Sequence, residues 1–127
     1  MRTSSTKDIL FIEASNNFPE VAFKPNGELT ITGRLINDHV TDFFASLFHW
    51  VDVYDGEYIN LVVNLEYLNT TGTFHILELV RRIETNKRIK LINFTWHYEE
   101  DDEEHLDLGQ LIEQGLKRTT FNYFCEA

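Results

Sequence analysis

The sequence predicts a single α/β domain, in which a mixed β-sheet with an N-terminal hairpin packs against about three helices. A length of 127 residues suits one domain with one hydrophobic core. Strand-like segments alternate with segments whose apolar residues recur at helical spacing. Strands followed by helix, strand, helix, strand and helix imply crossover helices within one sheet. The predicted domain spans residues 1–127, and its polar start, residues 1–8, is expected to be a flexible N-terminus.

The N-terminal part predicts an opening strand followed by a hairpin. Residues 9–14 form a short apolar run, and residues 21–25 and 28–33 alternate apolar and polar side chains. Between the last two lies Asn26-Gly27, a pair favoured in two-residue hairpin turns because both positions tolerate positive φ. The pattern places four side chains on the inward face: Val21, Phe23, Leu29 and Ile31.

The middle of the chain predicts a helix and then a central strand. Asn37 or Asp38 can cap the helix, and Asp55-Gly56 follows it with a turn. Residues 59–68 carry apolar side chains on both parities, which is typical of a strand covered on both faces. The apolar stripe of the helix has six members: Val40, Phe43, Phe44, Leu47, Phe48 and Val51.

The C-terminal half predicts two further helices around another strand. The second helical stripe runs through Phe74, Leu77, Val80 and Ile83 to about residue 85, and residues 90–97 read as a strand. An acidic run at residues 99–104 precedes a third helical stripe from Leu106 to Leu116. Residues 121–124 either form a short terminal strand or cover the core.

Charge and composition exclude several functions. A net charge of −10 argues against nucleic-acid binding and against an anionic membrane surface, since both depend on Lys and Arg. Cys125 is the only cysteine, so no internal disulfide can form and no thiolate metal site is expected. The N-terminus lacks a secretory apolar core, and no segment reaches the roughly 20 apolar residues of a membrane span. A cytoplasmic protein without membrane insertion is expected.

Signatures of catalysis are missing from the sequence. Phosphate-loop, dinucleotide, nucleophile-elbow and zinc-protease motifs do not occur, and the five histidines show no metal-ligand spacing. We therefore predict no enzyme, no catalytic residue, no cofactor and no metal. For His75, an ordinary position in the first turn of a helix is favoured. The alternative is a catalytic or phospho-acceptor role. Cys125 is interpreted as an inert small hydrophobe.

Two charged segments have a functional and a structural interpretation each. The carboxylates of residues 99–104 can bind a divalent cation, although consecutive like charges are more typical of a solvated surface. A basic cluster suits the carboxyl end of the second helix, where cations are stabilised by the helix dipole. Its alternative is a docking patch for an acidic partner. The cluster comprises Arg81, Arg82, Lys87, Arg88 and Lys90.

The loop between the predicted central strand and the second helix is the candidate functional site. Thr70, Thr71 and Thr73 lie there with Gly72 among them. Hydroxyls at this position can cap the helix by accepting bonds from its unpaired N–H groups. They can also carry a phosphate that the same N–H groups would bind. The residue types alone leave both uses open.

Three segments of the chain carry a family resemblance. Residues 66–70 read E-Y-L-N-T, residues 94–98 read F-T-W-H-Y before acidic residues, and residues 49–51 read H-W-V. Together they resemble the SiaC family of bacterial regulatory phosphoproteins, in which a Y-L-N-T loop carries the phosphorylated threonine. The resemblance extends from the Asn26-Gly27 hairpin to the last helix.

The resemblance implies a non-enzymatic switch with an architecture similar to STAS domains and anti-sigma-factor antagonists. A partner Ser/Thr kinase would phosphorylate Thr70, and a PP2C-type phosphatase would reverse the modification. The unmodified form would bind a diguanylate cyclase and promote cyclic-di-GMP synthesis, which controls biofilms. Asn69 would shape the turn, Gly72 would admit the phosphate, and Thr71, Thr73 and Phe74 would complete the partner-binding loop.

The sequence departs from the family pattern beside this loop. Residues 34–38 read R-L-I-N-D where the family tends to have a serine and a Pro-Glu pair, and Thr71 to Phe74 replace serines and a lysine. The identity of the partner therefore stays open, and Thr71 is an alternative acceptor. Other functions considered are an anti-sigma-factor antagonist acting without a cyclase, a metal-dependent enzyme or small-ligand binder, and a structural subunit.

Overall fold

The computed structural model describes residues 8–36 and 40–127. Within them lie six strands and three helices. After the N-terminal strands, helices and strands alternate, as the sequence predicts. The elements are β1 (Leu10–Ile12), β2 (Glu20–Phe23), β3 (Glu28–Leu35), α1 (Thr41–Asp52), β4 (Tyr58–Leu68), α2 (Thr70–Thr85), β5 (Leu91–Glu99), α3 (Glu103–Gln114) and β6 (Thr120–Glu126). The predicted α/β class with three helices is confirmed.

The six strands form one mixed sheet in the order β1-β2-β3-β4-β5-β6. The pairs β1–β2 and β2–β3 are antiparallel, and the three remaining pairs are parallel. Each parallel pair is joined through one helix, and all three connections step in the same direction across the sheet. Right-handed crossovers therefore place the three helices on one face of the sheet.

The central strand shows the consequence of this one-sided packing. Burial along β4 alternates, so that Ile59, Leu61, Val63 and Leu65 are buried while the residues between them are only partly covered. The prediction that this strand is covered on both faces is therefore wrong. Its second face carries Val62 between asparagines, and none of the three helices in the described residues covers it.

The N-terminal hairpin is confirmed, but its turn differs from the predicted one. The Gly27 N–H donates to the Lys24 carbonyl oxygen at 2.9 Å, so Pro25 and Asn26 are the central residues of the turn. Within this turn, only Gly27 has positive φ, at 95°. The two-residue Asn26-Gly27 turn is wrong, because proline, with φ fixed near −65°, favours the first central position of a type I turn. All four predicted inward residues are buried: Val21, Phe23, Leu29 and Ile31.

Several predicted boundaries change in the structure. Asn37 and Asp38, the predicted caps of the first helix, lie outside the described residues, and α1 follows Val40 without a side-chain capping bond. The C-terminal segment forms the strand β6 in parallel with β5, which confirms the first of its two predicted interpretations. Residues 1–7 of the predicted flexible N-terminus are also outside the described part. Asp8 is held by its carbonyl oxygen, which accepts a bond from Trp50 Nε1 at 3.1 Å.

The core lies between the sheet and the three helices. Its largest fully buried side chains include Trp96 and Phe94 of β5, Phe23 of β2 and Phe44 of α1. Burying such aromatic side chains supplies most of the stabilisation in a domain of this size. No helix in the described part of the chain combines the length and apolar character needed to cross a membrane.

Candidate functional site

The start of α2 is built around Asn69. The strand β4 ends at Leu68, and Asn69 takes an extended conformation with φ −89° and ψ 172° before the helix begins at Thr70. The Asn69 Oδ1 accepts a hydrogen bond from the Gly72 N–H at 2.7 Å. Asparagine is among the best N-cap residues because its side chain supplies this acceptor. Helix capping is therefore performed by Asn69 and does not require a threonine hydroxyl.

The three threonines of the loop have different surroundings. Thr73 is fully buried, and its hydroxyl donates to the Asn69 carbonyl oxygen at 3.0 Å. Thr70 and Thr71 are exposed. Their backbone N–H groups open the helix and have no acceptor within it, and the helix dipole favours an anion at this end. Solvent therefore reaches the hydroxyls of Thr70 and Thr71 but not that of Thr73.

Gly72 has a packing role that the sequence did not indicate. A Cβ at this position would lie 2.7 Å from both Leu35 Cδ2 and Leu68 Cδ1. These contacts are apolar and face the core, and the Gly72 N–H is already bonded to Asn69. The missing side chain thus lets α2 start close to the sheet. Leu35 belongs to the segment in which the chain departs from the SiaC pattern. One residue of that segment therefore lies at the base of the loop.

A groove of about 470 Å³ runs beside Thr70. One wall comprises Tyr67, Leu68, Asn69 and Thr70, and the other comprises Glu104, Asp107 and Leu108 of α3. Thr71 does not line it. Of the first wall, the sequence predicted Asn69 and Thr70 as site residues. It missed the second wall, although spacings of three and four residues place Glu104, Asp107 and Leu108 on one side of a helix. We call this feature the Thr70 groove.

Two large apolar side chains, one on each side of Asn69 in the sequence, are exposed. Tyr67 lines it and Phe74 lies one turn into α2, and each is 52% exposed. Exposed aromatic side chains at one site are typical anchors of protein interfaces. Phe74, predicted as part of the partner-binding loop, is thus placed where a partner can contact it.

The other candidate residues have local structural roles. The His75 Nδ1 lies 2.9 Å from the Thr71 carbonyl oxygen, and its ring lies 5.1 Å from that of Phe44. These are the contacts of an ordinary helix residue, as the sequence favoured, but His75 lies in the second turn because α2 already begins at Thr70. Cys125 is a free cysteine exposed on β6, an edge strand of the sheet. Its interpretation as an inert small hydrophobe stays a prediction.

The acidic run is divided between three structural elements. Glu99 ends β5, Asp102 caps α3 by accepting a bond from the His105 N–H at 3.0 Å, and Glu103 begins α3. Within residues 8–36 and 40–127, no three His, Cys, Asp or Glu side chains are placed to hold a metal ion. Asp102 therefore has a structural role as a helix cap, whereas the sequence favoured a solvated surface for the whole acidic run.

Part of the basic cluster is used within the fold. Arg82 pairs with Asp52 at 2.6 Å and with Glu78 at 3.1 Å. Arg88 Nη2 donates to the Tyr54 carbonyl oxygen at 2.9 Å. These bonds join the carboxyl end of α2 to α1 and the loop after it, which supports the structural interpretation of the cluster.

The one-sided sheet, with three helices on one face and a capped helix start beside a groove, forms a small α/β domain whose architecture is similar to that of anti-sigma-factor antagonists. Comparison of the sequence with protein-family models identifies the family within this class. The chain belongs to the SiaC family of regulatory phosphoproteins, whose family model matches residues 12–125.

Solved structures support the same fold. SiaC of Pseudomonas aeruginosa superposes with a TM-score of 0.77 at 21% identity, covering 94% of this chain and 99% of that one. A crystal structure of the diguanylate cyclase SiaD with its activator SiaC, from the same organism, matches with a TM-score of 0.73 at 21% identity, covering 91% and 99%. No curated protein matches the sequence.

Proposed function

We propose that this protein is a non-enzymatic signalling switch controlled by phosphorylation of Thr70. A Ser/Thr kinase adds the phosphate, and a PP2C-type phosphatase removes it. The unmodified form binds and regulates a diguanylate cyclase, and so acts on cyclic-di-GMP synthesis and biofilm formation. Support comes from membership of a family of regulatory phosphoproteins and from the similar fold of SiaC in complex with the cyclase SiaD.

The observation that carries the proposal is the position of the Thr70 side chain. It is exposed, it opens α2, and it lines the groove that Tyr67 and Leu108 also line. A kinase can therefore reach the hydroxyl, and a partner that enters the groove must contact it. Thr71 is also exposed but lies outside the groove. This difference favours Thr70 over Thr71 as the regulatory acceptor.

The folded protein tolerates a phosphate at this position. Phosphorylation adds about −1.5 to −2 charge, and the amino end of a helix stabilises an anion by about 0.3–1 kcal/mol at an exposed site. The carboxylates of Glu104 and Asp107 across the groove oppose the anion, although solvent screens exposed charges. The net effect on stability is expected to be small, because the hydroxyl makes no bond that the phosphate would break.

A bound partner, by contrast, would be expelled from the groove. The phosphate occupies space beside Tyr67 and Leu108, and covering it with a partner surface removes its water. Burying an unpaired anion costs several kcal/mol. A penalty of about 4 kcal/mol weakens binding roughly a thousandfold, since each 1.4 kcal/mol is a factor of ten. One covalent change can therefore release a partner while the fold is preserved.

The acceptor is tested by incubating the protein with a Ser/Thr kinase from the same cells and mapping phosphate by mass spectrometry. Thr70→Ala is expected to abolish the modification, whereas the matched variant Thr71→Ala is expected to be phosphorylated like the parent. A Thr70→Ala protein that is still fully phosphorylated would remove Thr70 from the proposal. Because both threonines are exposed, neither variant is expected to unfold, and a thermal melt checks this.

The partner is tested by immobilising unmodified protein and identifying what it retains from its own cells. Retention of a protein with a diguanylate cyclase domain, released by phosphorylation, is the expected result. Retention of an anti-sigma factor alone would show a sigma-factor cascade of the kind that the anti-sigma-factor-antagonist architecture serves elsewhere. That result would be compatible with a phosphorylation switch, but the regulated partner would be an anti-sigma factor and not a diguanylate cyclase.

A further inference from the structure

The two edge strands of the sheet, β1 and β6, differ in length. The strand β1 has three residues, whereas β6 has seven, from Thr120 to Glu126. The pairing of β6 with β5 runs over all seven residues without a register shift. One side of β6 is therefore bonded to β5 along its whole length, and the other side forms a long and regular edge of the sheet.

The backbone of β6 presents unpaired groups along this edge. Glu126 faces β5, because its carbonyl oxygen accepts a hydrogen bond from the Glu100 N–H at 2.9 Å. Successive residues of a strand direct their N–H and C=O groups to opposite sides. Phe121, Tyr123 and Cys125 therefore direct both groups away from β5, where no strand of the described part of the chain pairs with them. Such a row of donors and acceptors is a template for pairing with another strand.

The strand β6 lacks the features that protect exposed edges. Natural edge strands are often short, interrupted by a bulge, or supplied with Lys or Pro. The sequence of β6, T-F-N-Y-F-C-E, contains no Lys, Arg or Pro, and its ladder with β5 has no bulge. Phe124 is also 51% exposed on this strand. An edge without protection indicates a surface that a partner covers.

The charges at the two ends of β6 have opposite signs. Lys117 and Arg118 are exposed just before the strand. Glu100 and Asp101 are exposed at its other end, where the Glu100 N–H bonds to Glu126. An antiparallel copy of the same strand brings the basic end of each molecule beside the acidic end of the other. A parallel copy would bring like charges together, which costs affinity. The charges therefore fit a second copy of this chain in antiparallel orientation.

We propose that β6 pairs with β6 of a second copy of this chain, antiparallel and around a two-fold axis at Tyr123. A two-fold axis makes the interface isologous, with the same surface used by both copies. Tyr123 then opposes Tyr123 of the second copy, and Phe121 opposes Cys125. Residues opposed in this way exchange both of their N–H···O bonds, so all the outward groups of β6 are bonded. The two sheets become one continuous sheet.

The side chains across this strand pair are compatible. Phe121 packs against the core, so Asn122 and Phe124 lie on the opposite face of the sheet. Phe124 of each copy opposes Asn122 of the other, which makes the two Phe124 rings diagonal neighbours within reach of each other. Glu126 opposes Thr120, so no like charges face each other directly. The interface thus combines backbone bonds with an aromatic contact.

Self-association is tested by sedimentation velocity of the full chain under reducing conditions. One strand pair is a small interface, so a weak and reversible dimer is expected. Salt at about 0.15 M screens charges more than about 8 Å apart and limits the repulsion between copies that each carry a net charge of −10. Concentrations up to about 1 mM reveal even a millimolar dissociation constant. A monomer at every concentration would overturn the assignment to a second copy and leave the edge to a strand of another protein.

Hydrogen exchange followed by NMR identifies the paired surface. The N–H groups of Phe121, Tyr123 and Cys125 are expected to exchange about tenfold more slowly once about nine-tenths of the protein is dimeric, because exchange then requires dissociation. Those of Asn122 and Phe124 face β5 and should change little. Added protection at another surface, with none at the three outward N–H groups, would contradict pairing through β6.

Two substitutions at Thr120 test the register. Thr120→Glu places like charges opposite Glu126 and is expected to raise the dissociation constant of the dimer by about fivefold, whereas Thr120→Lys should lower it by a similar factor. The same two changes at Thr32, exposed on β3, alter the net charge equally and should have little effect. Equal effects at the two positions would contradict the register. Both threonines are exposed, so the variants are expected to fold.

Two substitutions at Cys125 separate backbone pairing from a disulfide between copies. Cys125→Pro removes an outward N–H that does not bond to β5, which an edge strand tolerates. It is expected to weaken the dimer by at least about tenfold, whereas Cys125→Ala keeps the N–H and should dimerise like the parent. A Cys125→Pro variant that melts like the parent and still dimerises equally would overturn the proposal. Loss of the dimer in Cys125→Ala would show that the thiol joins the copies, which also contradicts it.

Discussion

The two ends of α2 are built in opposite ways. At the amino end, the side chain of Asn69 supplies one capping bond, and Thr70 and Thr71 stand free in solvent. At the carboxyl end, hydrogen bonds join the last turn and the loop after it to α1, to the loop after α1 and to the loop before β6. The same helix therefore has one end open to modification and one end tied to the fold.

The carboxyl end is closed by Arg118, Asn86 and Glu84. The Asn86 Nδ2 donates to the carbonyl oxygens of Val51 and Tyr54, both at 3.1 Å. Glu84 Oε2 accepts from Lys117 N, Arg118 N and Thr119 Oγ1 at 2.7–2.8 Å. The Arg118 guanidinium donates to four carbonyl oxygens, those of Ile83, Glu84, Asn86 and Ile89.

This difference separates the bonds that stabilise α2 from the residue proposed to be phosphorylated. Because the carboxyl end of α2 is fixed to α1 and to the loop before β6, the position of the helix does not depend on bonds made by Thr70. A phosphate at the amino end can then change what binds there and leave the core unaltered. The comparison makes measurable predictions at both ends of the helix.

The largest effect on stability is expected from Arg118→Ala. This change removes a charged donor from four carbonyl oxygens, two of which it reaches in partly buried positions. Hydrogen bonds to charged groups contribute about 1.5–3 kcal/mol in total at such sites, and urea unfolding should show a loss of that size. Thr70→Ala, at the open end, is expected to change the free energy of unfolding by less than about 0.5 kcal/mol. Equal losses from both variants would contradict the contrast between the two ends.

A second effect is expected from Gly72→Ala at the base of the open end. In an exposed helix this change stabilises by up to about 1 kcal/mol. Here the new methyl group would lie 2.7 Å from Leu35 and Leu68, and overpacking costs about 1–3 kcal/mol. A net loss of stability in urea unfolding is predicted. A stabilised variant would show that the loop yields easily, and would weaken the assignment of Gly72 to packing.

A smaller effect is expected from removal of the cap. Asn69→Ala leaves the Gly72 N–H without its acceptor and should lower the free energy of unfolding by about 1 kcal/mol. Asn69→Asp keeps an acceptor oxygen and should recover most of that loss. Thermal melts of the two variants compare them directly. Equal destabilisation by both would mean that the capping bond contributes little.

The smallest effect depends on pH at the closed end. Burial raises the pKa of Glu84, but the bonds from Arg118, Thr119 and Lys117 outweigh burial and hold its pKa below the ordinary value of 4.5. A carboxyl whose pKa is lowered by folding stabilises the protein above its unfolded pKa, and this stabilisation disappears as the pH falls through the folded pKa.

Glu84→Gln is therefore expected to be less stable than the parent at neutral pH, and the difference should shrink as the pH falls below 4.5. Unfolding curves measured across this range give the comparison. A difference that stays constant with pH would show that the carboxylate charge is not involved.

Much of the fold could be predicted from local patterns. The hairpin, the helical stripes and the order of elements follow from periodicities of two and about 3.6 residues. The one-sided sheet was missed, although Asn60 and Asn64 alternate with the buried residues of β4 and mark a face without helices. Val62 between them made the strand look apolar throughout. One apolar side chain on a partly exposed face was enough to make the sequence pattern indicate a strand covered on both faces.

The site could be predicted only where it is continuous in sequence. The loop from Asn69 to Phe74 was found from its hydroxyls and its family resemblance. Glu104, Asp107 and Leu108 were missed because the groove forms when α3 packs beside the end of β4, a contact between residues more than 30 positions apart. The packing role of Gly72 also depends on Leu35, which lies on another strand.

The most direct test of the switch is to compare the affinity of unmodified and Thr70-phosphorylated protein for the purified diguanylate cyclase partner. A loss of roughly a thousandfold is predicted, corresponding to about 4 kcal/mol, with unchanged thermal stability. The Thr70→Glu variant should bind the cyclase more weakly than the unmodified protein but more tightly than the phosphorylated one, because a carboxylate carries less charge than a phosphate. Equal affinities for the two forms, with a folded protein in both, would contradict the proposed switch.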